Sequence, residues 1–454
     1  MSTVTDSLIF RGIFSTEESS GIWSDSKRTE KYLEFEAALA NVQGRLGVIP
    51  QRAADAIQTK CRLEVIDMNE LAVKTQQIGY PVLPLVKQLV GLVNEVEPGL
   101  GEWVHWGATT QDVTDTATIL QLRDTLEIVE QTLDDIIAAL RDLSLAHAST
   151  PMAARSNLQQ AVPMTFGFKM ARLLATFLRH KQRLSEFRPR LLVLEFGGAV
   201  GTLATLADTG VAFEVQEQLA GELGLGVPDI AWHTERDRIA EVGAFLAMVT
   251  GTCAKFALDV KLLMQTEVGE VSEPFYPHRG SSSTMPQKRN PISCVYITAM
   301  SSTVRQLSAS LFEAMVEDHE RSTGPWEIEW IVLPQICTLG HSTLVQTRDL
   351  VRGLEVHPEA MRRNLDLTRG AIVSEAAMMK LGAVIGRQKA HDLIYDECQK
   401  LGGTEGSGKQ LVDLLAENET VGKAGIGRKE LEDICDPIKY LGLSEEMVRR
   451  VLEQ

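Results

Sequence analysis

The strongest constraint in this chain is a set of apolar stripes spaced three and four residues apart. Ile119, Leu122, Leu126, Val129, Leu133, Ile136 and Leu140 form one such seam. It predicts roughly 33 Å of continuous helix. The spacing recurs at Ile239, Val242, Leu246, Val249, Cys253, Phe256, Val260 and Leu263, and again at Ile297, Met300, Val304, Leu307 and Leu311. A less regular stretch from Val162 to Leu191 and another from Trp326 to Leu350 extend the set. Five long helices with such stripes bury them only against one another, so the fold class is all-α, built on an extended bundle. Strand-type alternation is scarce.

The flanks differ from the bundle. Residues 1–110 read as an N-terminal domain of shorter helices, broken by turns such as Gly79-Tyr80-Pro81. Residues 111–354 hold the bundle, and residues 355–454 a C-terminal helical domain. Helices this long need more partner surface than one chain supplies, which implies a homo-oligomer built on the bundle. Sixty-one acidic against forty-five basic residues give a formal charge of −16. That balance speaks against nucleic acid and anionic lipid. Uninterrupted apolar runs fall short of the roughly 18–20 residues of a bilayer span. Met1–Phe14 has no basic stretch ahead of an apolar one, so a secretory leader is not expected. The six cysteines are scattered, with no CxxC pair, as expected of core thiols in a reducing cytoplasm.

Two glycine-rich stretches carry little chemistry. Gly403 to Lys409 approaches a phosphate loop, but Gln410 stands where a hydroxyl residue is needed for magnesium, and no strand precedes it. Phe196 to Thr202 does not match a dinucleotide fingerprint and reads as a close turn between helices. The segment from His278 to Pro291 is different. Between two periodic helices it sets Ser281, Ser282 and Ser283 beside Arg279, Lys288, Arg289 and Asn290. Backbone N–H groups and a lysine in such a loop suit a carboxylate on which charge develops.

Ser282-Ser283-Thr284-Met285-Pro286-Gln287-Lys288-Arg289-Asn290-Pro291 closely resembles the signature loop of the fumarase/aspartase superfamily. Val104-His105-Trp106-Gly107-Ala108-Thr109-Thr110-Gln111-Asp112 is similar to that family's first substrate segment, and Arg155 to Thr165 to its second. The resemblance implies Ser282 as the base that takes a proton from the carbon next to a carboxylate. It implies Lys288 and Asn290, flanked by Ser281 and Ser283, as stabilisers of the resulting aci-carboxylate. Thr109 and Thr110 would bind the other carboxylate, and His105 would line the site and act on protons. Gln160 and Arg321 complete the implied substrate-binding set. No metal and no cofactor come with the resemblance. It implies a homotetramer in which His105, Gln160 and Ser282 of different subunits share one active site, and a small di- or tricarboxylate as substrate.

Three segments resemble the 3-carboxy-cis,cis-muconate cycloisomerase branch. They are His319 to Trp330, with Trp326 and Trp330 where adenylosuccinate lyase has nucleotide contacts, Trp232 to Arg238, and Asp436 to Gly442. One departure stands out. Fumarase and adenylosuccinate lyase carry a histidine at the position of Asn157, and the cycloisomerase one at the position of Gln160. Neither side chain present here protonates a leaving group. Either His105 is the acid, or the leaving group needs little protonation. The expected reaction is that of a cycloisomerase. The alternatives are a lyase releasing fumarate from an N- or O-substituted succinate, and a bundle scaffold that has lost the chemistry.

Overall fold

The computed structural model describes residues 3–274, 277, 279–280, 284–285, 287–402 and 408–454. The described chain is mainly helical, with two small two-stranded sheets. All five stripes are helices, at Thr110–Ala146, Phe166–Leu191, Asp237–Leu263, Ile292–Glu313 and Pro325–Arg352. The seam residues from Ile119 to Leu140 and from Ile239 to Leu263 are buried. Leu307 departs from the pattern and is half-buried. Its neighbour Ser308 takes the inner position and donates to the Gly243 carbonyl at 3.0 Å. The helix after Val162 begins only at Phe166, because residues 159–165 form a strand in which Pro163, lacking an N–H, pairs with Ala153 at a register shift.

The chain divides into two compact units. The first comprises Met1–Leu133, His180–Cys253 and Tyr296–Val345. Its N-terminal helices start and stop where side chains can cap them. Ser24 accepts from the Lys27 N–H to open Asp25–Arg45, and Asp67 accepts from Asn69 and Glu70 to open Met68–Ile78. Gly79, at φ 97°, closes Met68–Ile78, and Pro81 precedes Val82–Val96. In the bundle part, Ser301 Oγ donates to the Thr250 carbonyl at 2.7 Å, and Gly340 lies against Leu246. An added Cβ at Gly243 would stand 2.5 Å from Leu311 Cδ1, so a side chain there would make Leu311 shift. By length and composition Asp237–Leu263 is apolar enough to cross a membrane, although no uninterrupted run announces it. Of that window 56% is buried inside the protein, as in a core helix.

The second unit comprises Asp134–Arg179, Ala254–Val295 and Gln346–Gln454. It holds the hairpin of Pro151–Ser156 and Gln159–Thr165, turned through Asn157 (φ 51°) and Leu158 (φ 66°). Two left-handed residues give the twist a two-residue hairpin loop needs, and asparagine tolerates that region better than leucine. Val271–Ser272 pairs antiparallel with Glu355–Val356. The C-terminal helices close over Leu381, Ala390, Ile394, Leu411, Leu415 and Leu431. None of the six cysteines forms a disulfide among the described residues, and Cys253, Cys294 and Cys337 are buried.

Candidate active site

In the first unit, helix Asp25–Arg45 holds the 104–110 segment at two points. Gln43 Nε2 donates to the Trp106 carbonyl at 2.8 Å, and Glu36 Oε1 lies 2.6 Å from His105 Nδ1. His105 (φ 62°) and Gly107 (φ 78°) bend the chain between those points. Burial alone would lower the His105 pKa, but the Glu36 charge and hydrogen bond, with Asp112 behind them, hold it above the ordinary 6.5. Thr109 precedes Thr110–Ala146, and its N–H donates to Asp112 Oδ2 at 2.9 Å, one half of a capping box. The Thr109 and Thr110 side chains are half-buried at the positive end of that helix dipole.

Asp112 is the hub of this constellation. Its Oδ1 accepts from the Gly197 N–H at 3.1 Å and lies 2.7 Å from His233 Nε2, while Oδ2 also accepts from the Gly198 N–H at 3.0 Å. Arg321 Nη2 donates to the carbonyl of the same Gly198 at 2.9 Å. A Cβ at Gly198 would come within 3.0 Å of the Gly107 carbonyl, and one at Gly197 within 2.7 Å of Gly201 Cα. The glycine-rich turn thus lies against the His105 segment rather than merely joining helices. His105, Thr109, Thr110 and Arg321 are gathered around Asp112. Beneath them Glu195 Oε2 accepts the Trp232 N–H at 2.6 Å, and Oε1 lies 3.3 Å from His233 Nε2. Burial, with the charges of Asp115 and Asp112, pushes the Glu195 carboxyl up to about 9.

Asp112, Glu195 and His233 form a histidine–carboxylate group whose ligand atoms lie within 4.8 Å of one another, the only such group among the described residues. Asp112 already receives three backbone N–H groups, and His233 hydrogen-bonds it directly. Metal ligands need their own lone pairs and a wider spacing, so the cluster fits a brace better than a metal centre. A second buried network lies one turn along. Arg236 binds Asp115 at 2.7 and 3.0 Å and Glu329 at 2.9 and 2.6 Å, and Trp326 Nε1 donates to Asp115 at 3.0 Å. Trp326 and Trp330 pack edge to face with centroids 4.8 Å apart, and Tyr80 stacks on Trp326. Trp326 is therefore a packing residue with its N–H engaged.

In the second unit, Gln160 Nε2 donates to the Asn364 carbonyl at 2.8 Å, which leaves the amide oxygen buried without a partner among the described residues. Asn364 Nδ2 in turn donates to Glu270, which holds Arg155 through two contacts of 2.9 and 2.6 Å. Asn290 donates both its backbone N–H and its Nδ2 to the Gly280 carbonyl, at 3.2 and 2.7 Å. Arg279 bonds Ser293 and Gln346, and Arg289 bonds the Glu273 carbonyl and Glu355. The Lys288 side chain is exposed. Ser281, Ser282 and Ser283 lie outside the described residues.

Sequence reasoning singled out neither Glu36, Asp112, Glu195 nor the buried pairs of Arg236 as functional. Asp112 carried a signal, an acid three residues after the Thr109 cap. Glu36, sixty-nine residues from His105, carried none.

The family model described as "Lyase" matches residues 12–305, and the model described as "Adenylosuccinate lyase C-terminus" matches residues 370–451. The chain is 53% identical to trans-aconitate decarboxylase 1 of Mycosarcoma maydis over 97% of its length and 88% of that protein's. It is 43% identical to 3-carboxy-cis,cis-muconate cycloisomerase of Pseudomonas aeruginosa, over 100% of this chain and 98% of that one. The crystal structure of the 3-carboxy-cis,cis-muconate lactonizing enzyme from Pseudomonas putida superposes with a TM-score of 0.91 at 40% identity, covering 98% of each chain.

Proposed function

Because the chain belongs to the lyase family of the fumarase/aspartase superfamily and is a 3-carboxy-cis,cis-muconate cycloisomerase-like enzyme, we propose that it acts on an unsaturated tricarboxylate. Its reaction delivers a proton to the alkene carbon next to one carboxylate while a bond changes at the neighbouring carbon. The two substrates that its relatives' names supply, 3-carboxy-cis,cis-muconate and trans-aconitate, share one reacting unit. In both, an alkene carbon bearing a carboxylate is doubly bonded to a CH that bears another.

In the cycloisomerase reading the distal carboxylate oxygen attacks the carboxylated carbon. A C–O bond forms, the alkene pair moves to the CH carbon through an aci-carboxylate, and a proton takes it up. Ser282 exchanges that proton, and Lys288 and Asn290 stabilise the charge as it builds. Thr109 and Thr110 hold a second carboxylate with hydroxyls and the helix terminus. Arg321 adds positive charge, Gln160 offers its free amide oxygen, and His105 is the titratable acid of the set.

One observation carries the restriction to this chemistry: Asn157 and Gln160 place no ionisable acid in the second substrate segment, and Gln160 is tied to Asn364. An amine or alkoxide leaves well only when protonated. A carboxylate nucleophile and departing CO2 need no such help. The same fact, with 53% identity to the decarboxylase, favours a second reading. The C–C bond to the terminal carboxylate of trans-aconitate breaks, CO2 leaves, and its electron pair forms the new methylene double bond. The old alkene pair then takes a proton at the CH carbon, giving methylenesuccinate.

Four chains sharing their active sites, in the cytoplasm, complete the proposal, with residues 1–110 and 355–454 capping a bundle of 111–354. The experiment supplies each tricarboxylate to the purified protein. Loss of conjugated-diene absorbance reports cyclisation and CO2 release reports decarboxylation. Turnover of neither, with fumarate released from a substituted succinate instead, overturns the reading.

A further inference from the structure

We propose that Glu36 is the positioning residue of His105: by taking the Nδ1 hydrogen it makes Nε2 the ring nitrogen that gains and loses a proton. The inference rests on the reading above that His105 faces substrate, and it goes beyond that reading in assigning a partner that touches no substrate. Glu36 lies on the inner face of Asp25–Arg45 and is 1% exposed, whereas the His105 side chain is 19% exposed. The 2.6 Å contact joins Glu36 Oε1 to Nδ1. No described residue takes Nε2.

A neutral imidazole carries one hydrogen, and a buried carboxylate beside Nδ1 keeps it there. Protonation then occurs at Nε2, since Nδ1 already carries its hydrogen toward Glu36. The surrounding charges act in the same sense. Asp112, from the first turn of Thr110–Ala146, adds a second negative charge, and the facing thiol of Cys61 stays protonated because burial, then the Glu36 charge, raises it. Glu36 Oε2 has no hydrogen-bond partner among the described residues.

The decisive measurement is the exchange rate of each histidine's C2 hydrogen with deuterium, followed by peptide mass spectrometry across pH on the intact protein. It titrates His105 without any substrate. In Glu36→Gln the His105 midpoint should fall by about one pH unit or more, while the midpoints of His180 and His341 stay fixed. With whichever tricarboxylate turns over, Glu36→Gln should lower kcat about tenfold or more, with KM nearly unchanged, and shift the alkaline limb of the kcat profile to lower pH. Combining Glu36→Gln with His105→Gln should add no further loss to His105→Gln alone. Glu36→Asp, which keeps the charge but shortens the reach, should restore part of the midpoint. An unchanged His105 midpoint in a folded Glu36→Gln overturns the inference. A lowered midpoint with no effect of His105→Gln on turnover leaves the pairing standing and removes His105 from catalysis.

Discussion

Arg236 closes a two-point pair on Asp115 at 2.7 and 3.0 Å, with the arginine and the aspartate each 1% exposed. The same guanidinium holds Glu329, and Glu317 stands 3.9 Å from it. One cation thus serves three carboxyl groups, and burial is the main cause that pushes Glu317 up to about 8. Removing the cation leaves buried negative charge with no counter-ion. Arg236→Ala should therefore cost about 3–5 kcal/mol, as breaking a buried pair does. Arg236→Lys, which cannot fork to two carboxylates, should lose a smaller part of it. The midpoint of urea unfolding measures both.

Asp112→Asn tests whether the first substrate segment is built around one carboxylate. An amide keeps one acceptor oxygen and places a donor against the N–H groups of Thr109, Gly197 or Gly198. The expected cost is about 1–3 kcal/mol of stability. A rise in KM for the tricarboxylate should exceed any fall in kcat, since Thr109 and the carbonyl that anchors Arg321 both lose their support. An unchanged KM in a destabilised protein would confine Asp112 to the fold.

Glu195 gives a dependence on pH. Its carboxyl is raised to about 9 by burial and by neighbouring acids, against an ordinary value near 4.5. A raised folded-state value means that the native protein binds the proton more tightly than the unfolded chain. The contribution is complete below the unfolded value and is lost as pH rises toward 9, at no more than about 1.4 kcal/mol per pH unit. Glu195→Gln mimics the neutral form. It should fold and show a flatter decline of melting temperature between pH 6 and 9 than the parent protein, in about that proportion. A parallel decline in both would remove Glu195 from the titration.

The bundle was legible because the three-and-four spacing repeats for many turns: every seam residue from Ile119 to Leu140 is buried. The start of the Phe166 helix was not, since Val162 and Met164 continue the apolar run while their backbone pairs as a strand. Spacing also failed at Leu307, where a hydroxyl bonded to the Gly243 carbonyl wins the inner position. His105, Thr109, Thr110 and Arg321 were singled out through the family resemblance, and the first unit sets them around Asp112. Glu36, Glu195 and the partners of Arg236 remained hidden. Each acts on a residue dozens of positions away, and a lone acidic residue reads as solvated surface until its burial is known.

The central claim is that a proton reaches the alkene carbon beside a carboxylate while the bond change occurs next door. The most direct measurement is turnover of trans-aconitate and of 3-carboxy-cis,cis-muconate in deuterium oxide, with the products read by nuclear magnetic resonance. The account predicts one deuterium in the methylene beside the retained carboxylate, and loss of the reaction in Ser282→Ala. Deuterium in a new methyl group, formed by direct protonation of the carbon that lost CO2, would contradict it, as would turnover that survives the removal of Ser282.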